Sequence, residues 1–131
     1  MKLTSLRLIS KNIKAAVEFY EQAIGVTSRW YTEDFAELSA GSVTIAIGST
    51  RTMKMFSEDL TDFTGTKSTI IEFMVDNVDK EYERIKAIAS EIIQKPTTMP
   101  WGNRSLLFCD PDGNMINFFT PVSEEALKKF S

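Results

Sequence analysis

The pattern of apolar side chains that begins at Leu6 begins again at Ile71, 65 positions later and near the middle of the chain. Leu6, Leu8, Ile9, Ile13, Val17, Tyr20 and Ala23 correspond to Ile71, Phe73, Met74, Val78, Tyr82, Ile85 and Ile88. The copies agree in pattern rather than in identity. Duplication of this kind limits the chain to two like supersecondary units. At 131 residues those units have room to make one compact domain.

Each copy changes its period at an asparagine. Before Asn12 and Asn77 the apolar residues alternate as in a strand. After them they recur every three or four residues, through Ile13, Ala16, Val17, Tyr20 and Ile24 and through Val78, Tyr82, Ile85 and Ala89. Both asparagines are placed to accept the first free amides of a helix. Gly25 ends the first helix, and strands are expected at 27–31, 35–39 and 43–47. The second helix is followed by strands at 92–98, weakened by Pro96, at 104–109 and at 115–120. Asp110-Pro111-Asp112-Gly113 closes the last hairpin, because Pro presets a negative φ and Gly accepts a positive one. The tail, with Ser123 as N-cap, early acids and late bases, reads as a short helix.

The expected architecture is α+β. Two βαβββ modules, 1–49 and 68–122, form a curved mixed sheet around a cleft in a single domain of residues 1–131. A crossover, 50–67, joins them, and a C-terminal helix covers 123–131. The crossover mixes Ser, Thr and Asp with Met53, Met55, Phe56, Leu60 and Phe63, so it is expected to fold back over a cleft or a dimer seam rather than act as a polar linker.

With no histidine, the chain has no Ser-His-Asp or Cys-His nucleophile, no His-ligated zinc and no side chain whose ordinary pKa lies near neutrality. A net charge of -3 offers no basic field to a phosphate backbone, so nucleic acid is not an expected partner. No apolar run reaches the roughly 18 residues of a membrane helix, and Arg7 and Lys11 interrupt the start before a signal sequence could form. The lone Cys109 reads as a small core hydrophobe and fits a reducing, cytoplasmic location.

The two βαβββ units, the Asn12, Phe19-Tyr20 and Gly25 opening, Pro100-Trp101-Gly102 and the Asp110-Pro111-Asp112-Gly113-Asn114 turn together resemble the vicinal-oxygen-chelate superfamily. That group includes glyoxalase I, bleomycin-resistance proteins, extradiol dioxygenases and fosfomycin-resistance transferases. In its metal-dependent members, the resemblance places ligands near the start of each module's first strand and in its last strand. The corresponding positions here are Ser5, Thr44 or Ala46, Ile70 and Asn117. Ile70 has no donor atom, and hydroxyls with one amide are poor ligands for magnesium or transition metals. The expectation is therefore no metal, no cofactor and no catalytic residue. What the resemblance then implies is a metal-independent binding protein of the bleomycin-resistance type, a homodimer sequestering a planar or cationic antibiotic-like ligand.

Strand alternation sets Ser5, Arg7, Ile70 and Glu72 on the face opposite the helices, with Leu6, Leu8, Ile71 and Phe73 beneath them. Arg7 and Glu72 occupy equivalent places in the repeat, so a pair crossing the cleft floor is expected, as a structural ion pair, a ligand contact or both. Trp30 or its neighbour Tyr31, together with Phe56, Trp101 and Phe119, would supply flat rings for a planar ligand. The candidate ligand-binding set is Ser5, Arg7, Trp30, Thr44, Phe56, Glu72, Trp101, Asn117 and Phe119. Glu33, Asp34, Glu58 and Asp59 read as solvated loop acids. Two other functions stay open: a lyase, isomerase or dioxygenase recruiting a metal through Glu72, Glu37 or Asn117, and a non-catalytic regulatory domain with a filled cleft.

Overall fold

The computed structural model describes residues 1–56, 59, 62 and 68–131; Glu58, Leu60 and Phe63 of the crossover lie outside the described residues. The chain divides into two compact units, Met1–Thr64 and Gly65–Ser131.

The first unit runs β1 (Ser5–Ser10), α1 (Ile13–Ile24), β2 (Arg29–Thr32), β3 (Phe35–Ala40), β4 (Val43–Ser49) and α2 (Thr50–Met53). Its sheet has the order β1-β4-β3-β2, with β1 parallel to β4 and the other neighbours antiparallel. The Asn12 side chain accepts the Ala15 amide at 3.2 Å, and Gly25 ends α1 in the left-handed region at φ 70°. The helix buries Ile13, Ala16, Val17, Phe19, Tyr20 and Ala23. They meet Ala36 and Leu38 of β3 and Ile45 and Ile47 of β4, all essentially without solvent exposure. Because α1 lies chiefly over β3 and β4, Leu6 on the outer strand β1 is more exposed than alternation alone predicts.

The second unit repeats the plan with β5 (Ile70–Met74), α3 (Val78–Ile85), β6 (Glu91–Thr98), β7 (Asn103–Cys109), β8 (Met115–Pro121) and α4 (Glu124–Lys129). The sheet order is β5-β8-β7-β6, with β5 parallel to β8. Asn77 caps α3 through the Lys80 amide at 3.1 Å, and Ser123 caps α4 through the Ala126 amide at 3.0 Å. The periodicity continues to Ala89, yet α3 stops at Ile85: Ala87 and Ile88 donate three residues back, to Arg84 and Ile85, and the helix tightens into a turn. Phe118 anchors the core, edge-on to Phe73 at 5.7 Å and to Phe108 at 5.0 Å. Pro96 sits within β6, an outer strand, where the pairing register with β7 shifts between Gln94 and Thr97.

The Asp110 turn sets the β7–β8 register. One oxygen of the buried Asp110 carboxylate accepts the Asp112 and Asn114 amides at 2.9 and 2.8 Å, and the other accepts the Asn114 side chain at 2.8 Å. Gly113 takes the positive φ of 86° that the turn requires. Among the described residues no helix is long and apolar enough to cross a membrane.

Candidate functional site

The face of the first sheet that carries Arg7 holds a pocket of about 500 Å³, lined by Arg7, Tyr31 to Phe35, Thr52, Met55 and Phe56. The alternation of β1 turns Arg7 away from α1, and its strand partner Ala46 shares that face. The Arg7 guanidinium lies 4.8 Å from the Phe35 ring centre and 5.9 Å from that of Phe56. Tyr31 stands beside Phe35 at 6.0 Å, and the Arg29 guanidinium covers the Tyr31 ring at 4.9 Å. The Tyr31 hydroxyl donates to the Glu37 carboxylate, which raises its pKa above the ordinary phenol value.

Asp34 is not the solvated acid its position suggested. Half-buried, it accepts the Ser49 hydroxyl at 2.7 Å and Arg51 through Nε at 2.9 Å and Nη2 at 2.6 Å. These bonds, that from Arg51 foremost, hold its carboxyl below the usual range. The cluster ties the β2–β3 turn to the start of α2, the short helix that leads into Met55 and Phe56. Glu33 at the same turn is exposed.

In the second unit, Glu72 and Asn117 are cross-strand partners, and the Asn117 amide donates to the Glu72 carboxylate at 2.8 Å. The carbonyl oxygen of Asn117 is buried and has no hydrogen-bond partner among the described residues. Phe119, two residues on, is buried and packs its ring on Phe130 at 5.0 Å. Trp101 is largely exposed and lines a separate surface pocket of about 410 Å³ with Asn103, Glu125, Ala126, Lys129 and Phe130.

The anticipated residues therefore fall into distinct groups. Ser5 pairs with Thr44 and Arg7 with Ala46 across β1 and β4, whereas in the second unit Asn117 pairs with Glu72, the counterpart of Arg7. Arg7 and Phe56 share the first-unit pocket. Trp30 pairs with Ala36 and so shares the face turned to α1, while its neighbour Tyr31 lines the pocket. Glu72 and Asn117 meet, whereas Trp101 shares a surface pocket with Phe130 and Phe119 packs on the Phe130 ring. Within their own units, Arg7 lies against rings and Glu72 against an amide. Tyr31, the alternative to Trp30, lines the pocket together with Phe35 and Met55, which were not in the candidate set. The alternation of Phe35 with the inward Ala36 was a readable signal for Phe35; for Met55 the signal was the apolar content of the crossover, which did not single it out from its neighbours.

These donors do not fit a divalent metal centre. Ser5 and Thr44 offer neutral hydroxyls, Ile70 offers no donor atom, and Asn117 offers one neutral amide oxygen, a set short of the imidazoles and carboxylates that magnesium or a transition metal takes. Among the described residues no three His, Cys, Asp or Glu side chains gather where an ion could be held.

A duplicated βαβββ unit with these turns matches a known family profile, that of the Glyoxalase/Bleomycin resistance protein/Dioxygenase superfamily, over residues 2–118. The chain belongs to that superfamily. It is 29% identical over 125 residues to the uncharacterized protein YraH of Bacillus subtilis, covering 91% of this chain and 98% of the relative. It is 28% identical over 121 residues to a bleomycin resistance protein of Geobacillus stearothermophilus, covering 85% of this chain and 90% of that one. Among solved structures, a superfamily enzyme from Burkholderia phytofirmans superposes with a TM-score of 0.81 at 18% identity, covering 93% of this chain and all of the other (100%). TioX from Micromonospora superposes at 0.68 with 20% identity, covering 93% and 100%. These two likenesses establish the superfamily fold alone.

Proposed function

We propose that the protein is a metal-independent binder of a planar organic molecule, in the manner that the name of the bleomycin-resistance relatives implies. The observation that carries this reading is the first-unit pocket of about 500 Å³, in which the Phe35 and Phe56 rings lie against the Arg7 guanidinium and Tyr31 lines the same space. Aromatic walls with few polar groups suit stacking of a flat ring, and the volume suits a small organic ligand. Of the two ligand characters the resemblance implied, planar is supported by the rings. Cationic is opposed by Arg7. Two copies forming a homodimer are supported by the exposed apolar side chains Met55, Phe56 and Trp101, which a partner surface would cover.

The test is titration of a panel of flat aromatic compounds, bleomycin included, into chelator-treated protein, with wild type and Phe56→Ala compared. Saturable binding without metal, weakened in Phe56→Ala, supports the reading. Binding or turnover that requires added Zn, Ni, Mn or Fe overturns it in favour of a metal-dependent enzyme. Light scattering at micromolar concentration reads the oligomeric state.

A further inference from the structure

Among the described residues, the three acids around the first-unit pocket, Glu33, Asp34 and Glu37, match Arg7, Arg29 and Arg51 in number, but none of them lies within ion-pair distance of Arg7. Asp34 accepts Arg51 through two nitrogens and the Ser49 hydroxyl as well. Glu37 receives the Tyr31 hydroxyl and lies opposite Arg29 on the neighbouring strand. Glu33 stands exposed at the hairpin. Arg7 has the faces of two rings and, among the described residues, no carboxylate within ion-pair distance. The guanidinium carries five N–H donors in a planar fork matched to a carboxylate, and among the described residues no acid takes that fork in Arg7.

We propose, resting on the binding reading above, that the ligand of this pocket is a flat organic acid. Its carboxylate takes the in-plane fork of Arg7, and its ring system lies against Tyr31, Phe35 and Met55. The carboxylate supplies the negative charge that Arg7 lacks, and the ring fills the apolar part of the pocket. Among the described residues neither Glu33, which is exposed and screened by water, nor Glu37, which holds the Tyr31 hydroxyl, forms an ion pair with Arg7.

The experiment uses three probes of one shape: 2-naphthoate, 2-naphthalenemethanol and 2-naphthylmethylammonium, titrated calorimetrically into the full chain. The expected order is naphthoate tightest, by roughly tenfold over the alcohol, as a charge-assisted bidentate contact supplies, with the ammonium weakest. Arg7→Met should erase the preference for naphthoate while still binding the alcohol, and Arg7→Lys, which keeps charge without the fork, should retain only part of it. Thermal melting of each variant checks folding, and the Lys variant decides the matter if the Met variant does not fold. Equal affinity for naphthoate and the alcohol, or a preference that survives in folded Arg7→Met, overturns the acid assignment and leaves the planar-ligand reading standing. Failure of all three probes to bind wild type overturns both.

Discussion

Asp110→Ala isolates what the β7–β8 turn contributes. The carboxylate accepts three hydrogen bonds, from the Asp112 and Asn114 amides and the Asn114 side chain, at 2.8 to 2.9 Å. Bonds to a charged acceptor contribute roughly 1.5–3 kcal/mol each when nothing replaces them. Here Asp112 and Asn114 are half-exposed, so water can reach their donors once the carboxylate is gone. A net of about 1 kcal/mol per bond is therefore the better figure, about 3 kcal/mol in all. With a urea m-value of about 1.5 kcal/mol/M for a chain of this size, the unfolding midpoint should fall by about 2 M. Asp110→Asn keeps one acceptor and loses the charge, and should fall about half as far. The assay is urea unfolding followed by circular dichroism and tryptophan fluorescence. A shift below about 0.5 M at unchanged m would refute the claim that this carboxylate organises the hairpin.

Gly102→Ala should lower stability by more than about 2 kcal/mol, since the position has φ 94° and an added methyl would overlap the Ser123 side chain that caps α4. Thermal melting checks it, and an unchanged melting temperature would show that α4 docks differently. Phe118→Ala removes a buried ring with two edge-on neighbours and should lower stability by about 3–5 kcal/mol in the same urea assay. The Arg104 hydrogen bonds hold the Asp79 carboxyl below its usual value. A carboxyl depressed by folding adds stability above its unfolded value of about 3.9 and loses that contribution as pH falls through the lower folded value. Arg104→Met should therefore make the decline in unfolding midpoint below about pH 4 shallower, by a small amount because water screens the pair. An identical acid limb in wild type and variant would remove the pair from the account.

The repeat, the two asparagine caps and the Asp110 turn were legible because each is a local rule: a period, a cap or a backbone preference acts on residues close in sequence. α2 was not, since four residues carry no period. The pairing of β1 with β4, which sets Thr44 opposite Ser5 and Ala46 opposite Arg7, was not legible for a related reason, as alternation puts Thr44 and Ala46 on the same face and only the tertiary pairing fixes their partners. The choice between Trp30 and Tyr31 turned on a register shift between Trp30 and Thr32, which leaves Trp30 with Ala36 and Tyr31 on the pocket side. Glu72 with Asn117 illustrates a partial success: both were singled out separately, and the hydrogen bond joining them required the parallel pairing of β5 with β8.

Pro96 has a bearing on what the chain avoids. An outermost strand normally presents a ladder of unpaired donors and acceptors on which a foreign β-segment can grow. On β6 one rung of that ladder lacks its hydrogen, Lys95 places a cation beside it, and the pairing is irregular there. Fibrillar stacking along this border is thus discouraged by composition.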